Sequence, residues 1–285
     1  VTLHQQIVAF IGSGVMAEAM IKGLLNQHLL SASQIIAADP NQDRGAELVE
    51  RYGLTYTTDN AQAADDADIL ILSIKPQMLG HIVPGLRRTA QDASMILSIL
   101  AGVRIRTLAD GLANPSIVRA MPNTPAQIGQ GITVWTATPE VPDEQRAGAK
   151  ALLGALGEEI YMDDEKYLDM ATALSGTGPA YVFLFMEAMI DAGVHMGFSR
   201  KDAEKLVLHT MRGSVEYALS SSMHPAQLRN QVTSPGGTSA EAIYQMEKGN
   251  LRTVLSRSIW AAYQKSVALG DAQEKGHEKR SLDEP

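Results

Sequence analysis

A chain of 285 residues is long enough for about two domains and a full hydrophobic core, and a mean hydropathy of −0.07 places it among globular proteins. A net charge of −8 with no basic stripe argues against nucleic acid as a partner. The lack of cysteine excludes disulfides, thiol catalysis and Cys-ligated metal and suits a reducing cytoplasm. No unbroken apolar run approaches the roughly 18 residues of a membrane span, and residues 1–6 carry neither a basic nor an apolar leader pattern, so membrane association and export are not expected.

The first predicted element is the short apolar run Ile7-Val8-Ala9-Phe10-Ile11, suited to a strand buried on both faces. It leads into Gly12-Ser13-Gly14-Val15-Met16-Ala17 and a helix over Glu18 to Leu25. This is a G-x-G-x-x-A turn in strand–turn–helix context. Gly12 permits the tight turn, Gly14 lets a pyrophosphate approach the backbone, and Ala17 lets helix and strand pack closely. A second strand, Ile35 to Ala38, ends at Asp39, about 20 residues past Ala17, where an acid faces the adenosine ribose. That carboxylate favours the free 2′-OH of NAD, whereas Arg44 suits the 2′-phosphate of NADP; the two signals leave the preference open.

The alternation continues with a helix over Ala61 to Ala67 and a strand over Asp68 to Ile74 that stops at Lys75-Pro76. Lys75 then falls on the carboxyl edge of a parallel sheet, where ligands bind. Met95 to Leu100 is the next strand, ending in Ala101-Gly102. Ile117 to Ala120 leads to the rigid Met121-Pro122-Asn123-Thr124-Pro125 loop. Gly131 to Trp135, a helix over Pro142 to Leu156, and Glu158 to Met162 complete the half. The pattern predicts an α/β Rossmann-type doubly wound sheet over residues 1–162.

From Asp163 the β signal disappears, predicting an all-α C-terminal domain over 163–270. A helix over Asp164 to Leu174 is interrupted by Ser175-Gly176-Thr177-Gly178-Pro179, and the next, Ala180 to Met196, is apolar nearly all round. A unit of this size has little room to bury such a helix, which predicts a dimerisation domain in a homodimer. Helices follow over Arg200 to Leu219 and Pro225 to Gln231, then the turn Thr233-Ser234-Pro235-Gly236-Gly237-Thr238-Ser239. Behind it lie a helix to Lys248 and a last one from Leu251 to about Leu269. The turn reads either as a plain one with Thr238 or Ser239 as N-cap, or as an anion site built from backbone N–H groups. Residues 271–285 are charged and are expected to form a disordered tail. The seven histidines show no ligand spacing, no metal is expected, and His224 before Pro225 reads as a turn residue.

A dinucleotide sheet argues for hydride transfer. The helical half offers hydroxyls and amides and no strong general acid, which suits a small carboxylated imine or ketone. Along its ordered length the chain resembles the pyrroline-5-carboxylate reductase family. The resemblance rests on Phe10 to Met16 and Ser73-Ile74-Lys75-Pro76-Gln77, which related reductases share, and more specifically on Met121 to Pro125 and Leu174 to Tyr181. His224 to Leu228 and Val232 to Ser239 are the most specific.

It implies reduction of L-1-pyrroline-5-carboxylate to L-proline with NADPH, or NADH, in the cytoplasm, by a homodimer that can assemble into a decamer of dimers. The resemblance places Gly12, Ser13, Gly14, Val15 and Met16 on the pyrophosphate, with Asp39, Asn60, Lys75, Pro76, Ala101, Gly102 and Met121 along the cofactor. It places Thr238 and Ser239 as catalytic residues, and Ser234, Gly236, Gly237, Ser175 and Asn123 with them on the substrate. One position departs from the family, Ser239, which stands where threonine is usual, and Asp39, read from its spacing, runs against the family's usual NADPH preference. Two other readings compete. A β-hydroxyacid-type reductase would need a lysine on the helix Ala180 to Met196, which has none, and a non-catalytic NAD(P)-binding redox sensor leaves the hydroxyl-rich loop unexplained.

Overall fold

The computed structural model describes residues 3–283, and the chain divides into two compact units, residues 1–177 with 262–285, and residues 178–261. In the first unit strands and helices alternate: β1 (Val8–Ile11), α1 (Val15–Asn26), β2 (Ile35–Ala38), α2 (Gln42–Tyr52), β3 (Thr55–Thr57), α3 (Asn60–Asp65), β4 (Ile69–Leu72) and α4 (Leu79–Ala90). Then come β5 (Met95–Ser98), α5 (Ile105–Leu112), β6 (Ile117–Met121), β7 (Gly131–Ala137), α6 (Asp143–Gly154), β8 (Gly157–Tyr161) and α7 (Lys166–Ala171). The strands form one sheet in the order β3-β2-β1-β4-β5-β6-β7-β8.

Strands β1 to β6 are parallel, β7 runs antiparallel to β6, and β8 is parallel to β7. The reversal at β7 follows from its connection: residues 122–130 hold only a short 3-10 turn, Thr124–Ile128, too little chain for a parallel crossover. Strand β3 has no apolar run to announce it. It lies at the sheet edge, and its Thr-Tyr-Thr is at least partly exposed.

The apolar strands are explained by burial on both faces. Val8, Phe10, Ile69, Ile71 and Leu97 face one core with Met20 and Leu24 of α1, Leu48 of α2 and Leu152 of α6. The alternate residues Ala9, Ile11, Leu70, Leu72 and Ile96 face another with Leu86 of α4 and Leu108 and Leu112 of α5. The sheet is doubly wound, as the period of its sequence implied.

Packing ties α7 to the sheet across the expected boundary at Met162. Leu168 and Ala171 of α7 form a small cluster with Val134 of β7. Buried Arg119 of β6 is paired with Glu165 at 2.7 Å and Asp169 at 3.4 Å. After α7 the chain makes a π turn, Thr172–Gly176, in place of the single helix expected to Leu174.

The second unit holds α8 (Gly178–His195), α9 (Arg200–Leu219), α10 (Pro225–Gln231), α11 (Thr238–Lys248) and the start of α12 (Leu251–Asp283). Helices α8 and α9 approach closely at Gly193, where a Cβ would lie 3.0 Å from that of Ala203. Phe183 and Leu184 of α8 are 61% and 65% exposed, so the described residues leave this apolar face uncovered. Counting unbroken apolar residues understated this region. Lys166–His195 is long and apolar enough by length and composition to cross a membrane, a test that the core helix of a globular protein also passes.

The disordered tail expected over 271–285 is corrected: α12 continues through Asp283, and residues 284 and 285 lie outside the described residues. Gly270 is a contact point and not a stop. A Cβ there would sit 3.2 Å from the carbonyl oxygen of Gly102 and 3.3 Å from Arg104 Nε. Arg104 then pairs with Asp271 and with Glu274, and Ser266 Oγ donates to Asp169 at 2.7 Å. Gly270→Leu is therefore expected to lower stability by about 1–3 kcal/mol through overpacking, measured by denaturant unfolding. A disordered segment would be indifferent to the change.

Candidate dinucleotide and anion sites

The parallel strands bring the predicted cofactor residues to one edge. Ile11, Ala38, Thr57, Leu72, Ser98 and Met121 are the carboxyl ends of β1 to β6, and the segments holding Gly12, Asp39, Asn60, Lys75, Ala101 and Asn123 follow them. The strand order reverses direction at β1, which makes this edge a topological switch point.

Gly12 has φ +91°, and a Cβ would lie 2.8 Å from Ile74 Cγ2 and 3.0 Å from the Ile74 backbone nitrogen, so only glycine fits. The turn is held on both sides. Gly12 N–H donates to the Ala38 carbonyl at 2.8 Å, and Ser73 Oγ donates to the Gly12 carbonyl at 2.6 Å. Gly14 differs: its φ of −70° suits any residue, and a Cβ would meet nothing within 4 Å. The protein does not need glycine there, but a ligand lying over the backbone would.

Gly14 is the N-cap of α1 and no side chain caps the helix, so the first-turn N–H groups of Val15 and Met16 have no intrahelical acceptor. Buried Ser13 supplies no such donor, because its N–H goes to Asp39 Oδ2 at 2.9 Å. The space over Gly14, the open helix start and the carboxylate of Asp39 together fit a dinucleotide.

The remaining cofactor positions are less uniform. Asn60 opens α3 behind the Asp59 cap, and Lys75 is exposed just before the turn that starts at Pro76. Gly102 is left-handed at φ +71° and packs on α12, with a Cβ placed 3.1 Å from that of Leu269, so packing alone accounts for it beside partly exposed Ala101.

Met121, Asn123 and Ser175 are brought together. Asn123 Nδ2 donates to the Ser175 carbonyl at 3.2 Å, and its Oδ1 accepts from Ile132 N–H at 3.0 Å. A Cβ on Gly176 would lie 2.7 Å from Met121 Cε. The π turn makes this possible: Thr177 N–H reaches back to the Thr172 carbonyl at 2.8 Å, a wide turn often found at functional sites.

In the second unit the turn at 233–239 is not a plain capped one. Gly237, and neither Thr238 nor Ser239, is the N-cap of α11, and no side chain caps the helix. Gly236 is left-handed at φ +68°, and Gly237 N–H donates to the Ser234 carbonyl at 3.0 Å. Thr233 Oγ1 is used internally, on the Arg229 carbonyl at 2.7 Å. The hydroxyls of Ser234, Thr238 and Ser239 make no hydrogen bond to the described residues. Helix α11 thus opens behind two glycines with its first-turn N–H groups and three hydroxyls unclaimed. His224 is the turn residue expected: its Nδ1 accepts from Ala226 N–H at 3.2 Å and caps α10.

Sequence reasoning missed two clusters. One is Arg119 with Glu165 and Asp169, in which Glu165 Oε1 also accepts Ile105 N–H at 2.7 Å and so caps α5. The other lies beside the glycine turn, where Arg44 pairs with Glu18 and with Glu47, and Arg51 pairs with the same two acids. Burial alone would raise the Glu18 carboxyl. Hydrogen bonds from Arg44 and Tyr52 and the two guanidinium charges outweigh it and hold Glu18 below the usual range. An acid and a base three or four positions apart, such as Arg44/Glu47 and Glu47/Arg51, were the available signal.

The family models divide the chain in the same way as its chemistry. Residues 165–269 match the model described as pyrroline-5-carboxylate reductase dimerisation, and residues 7–102 match that of the coenzyme F420-dependent NADP oxidoreductases. The pyrroline-5-carboxylate reductase of Pseudomonas aeruginosa is 40% identical over 265 residues, covering 93% of this chain and 97% of that one. That of Synechocystis sp. is 38% identical over 92% of this chain and 98% of its own. The chain belongs to the pyrroline-5-carboxylate reductase family. A crystal structure of the Plasmodium falciparum pyrroline carboxylate reductase with NADP bound superposes with a TM-score of 0.85 at 31% identity, covering 93% of this chain and 98% of that one. Like that family, the chain is an NAD(P)-dependent oxidoreductase with a Rossmann-type sheet and a mostly helical dimerisation domain.

Gly14→Ala separates ligand from packing. Because nothing in the protein meets the added methyl, the melting temperature is expected to fall only by the small cost of alanine at an N-cap, while cofactor affinity falls roughly tenfold or more in a fluorescence titration. Gly12→Ala is expected to lose stability as well.

Proposed function

We propose that the chain reduces L-1-pyrroline-5-carboxylate to L-proline with NAD(P)H, as a homodimer in the cytoplasm. The observation that carries this reading is the open start of α11, where glycines, free N–H groups and free hydroxyls lie in the half of the chain matched by the dimerisation model. Backbone N–H groups of Thr238, Ser239 and Ala240 at the positive end of a helix hold the substrate carboxylate. The bound cofactor supplies a hydride to the imine carbon, the C=N bond becomes a C–N single bond, and the nitrogen keeps the proton it already carries. A protonated imine therefore asks no strong acid of the protein. Ser239 and Thr238 act on that nitrogen by accepting its N–H hydrogen bond and fixing the ring, a positional demand that hydroxyls meet.

The reading is tested by cofactor oxidation with pyrroline-5-carboxylate beside 2-keto and 3-hydroxy acids, using both cofactors. Turnover is expected on the imine alone. Ser239→Ala is expected to lower kcat roughly 100-fold with cofactor affinity little changed. Unchanged kinetics would remove Ser239 from the reaction.

The homodimer rests on the exposed apolar face of α8. Light scattering is expected to return two chains or a multiple of two. Phe183→Glu with Leu184→Glu is expected to shift the mass toward one chain. A wild-type monomer at working concentration removes the assembly claim.

A further inference from the structure

The adenosine end of the cofactor site carries an unbalanced negative charge. Asp39 follows β2 directly, and the last pair of the β1–β2 ladder is Ile11 with Ala38, so Asp39 lies beside Gly12. Its carboxylate is oriented by two backbone donors, Ser13 N–H on Oδ2 at 2.9 Å and Asn41 N–H on Oδ1 at 3.0 Å. Each oxygen keeps a lone pair for one further donor, and the ribose hydroxyls of an unphosphorylated dinucleotide supply such donors.

A 2′-phosphate at this place needs a cation, and the nearby one is engaged elsewhere. Arg44 Nε donates to the Ser13 carbonyl at 2.9 Å, Nη1 to Glu47 at 2.7 Å, and Nη2 to Glu18. Arg51 is bound to the same two acids, so two guanidinium groups and two carboxylates cancel. Among the described residues Asp39 has no ion-pair partner, and exposed Asp43 in the first turn of α2 adds a second acid four residues on. A phosphate there meets a carboxylate, and both nearby guanidinium groups, Arg44 and Arg51, are already paired.

We propose that Asp39, with Arg44 locked between Glu18 and Glu47, makes this enzyme select NADH over NADPH. This deepens the cofactor reading and rests on it. It sets the chain apart from the Plasmodium falciparum relative, whose structure holds NADP.

The test is equilibrium binding of NADH and NADPH to the full chain, followed by nicotinamide fluorescence, with 5′-AMP and adenosine 2′,5′-bisphosphate as substrate-independent probes. NADH is expected to bind roughly tenfold tighter or more, the scale of one hydrogen bond to a charged group, and 5′-AMP to outbind the bisphosphate. Asp39→Asn keeps an acceptor for the backbone while removing the charge, and is expected to tighten NADPH and narrow the ratio. Equal or tighter binding of NADPH by the wild-type chain overturns the proposal, as does an unaltered ratio in a folded Asp39→Asn. If neither dinucleotide binds, the cofactor reading itself fails. A preference for the 2′-phosphate leaves that reading standing and removes only this inference.

Discussion

One left-handed residue constrains the whole cofactor edge. Gly12 must turn the chain out of β1 against Ile74, and no side chain can do so in the space available. The turn is held from both flanking strands, by the Ala38 carbonyl at the end of β2 and by the Ser73 hydroxyl after β4. Those two strands border β1 where the sheet order reverses, so the turn is fixed by the topology that creates the crevice. Because Gly12 holds its position, α1 starts in a fixed place, Ser13 meets Asp39, and the backbone of Gly14 is left bare.

A second constraint lies at the other side of the sheet. Arg119 is 2% exposed in a strand otherwise apolar, and it draws Glu165 and Asp169 onto β6. Removing one partner of such a buried group typically costs about 3–5 kcal/mol, because a charge is left without compensation. The same acids reach further: Glu165 caps α5, and Asp169 accepts from Ser266 of α12. Arg104 repeats the pattern one turn later with Asp271 and Glu274. The π turn that carries Ser175 follows α7 directly, so the ion pairs that seat α7 on the sheet also position Ser175 against Asn123.

What was legible in the sequence was local. Gly12 to Ala17, the apolar strands and the helix starts at Pro225 and Thr238 each carry their signal within a few residues. Strand β3 carried none, since Thr55-Tyr56-Thr57 is held by its neighbour β2 and not by a buried apolar pattern. Arg119 carried no signal of its own, because its partners lie 46 and 50 residues away. Residues 271–285 read as a disordered tail for the same reason: Asp271 and Glu274 are held by Arg104, 167 and 170 residues back, and composition alone cannot reveal that contact. Arg44 offered the opposite trap: its charge was visible and its engagement by Glu18, 26 residues earlier, was not.

The two glycine turns are best understood through the helices that follow them. Helices α2, α3, α9 and α10 are each closed at the start by a side chain, from Asn41, Asp59, Ser199 and His224. A cap of this kind is worth about 1 kcal/mol. Helices α1 and α11 begin behind Gly14 and Gly237 without one, although Ser13, Thr238 and Ser239 bring hydroxyls within reach. Ser13 spends its N–H on Asp39 and its hydroxyl on the Ala38 carbonyl at 3.4 Å, which keeps it from closing α1. At α1 the uncapped start is kept open by this local hydrogen bonding, and at α11 the hydroxyls stay uncommitted. An anion bound there supplies the missing cap, so ligand binding and helix stability are coupled through the same N–H groups.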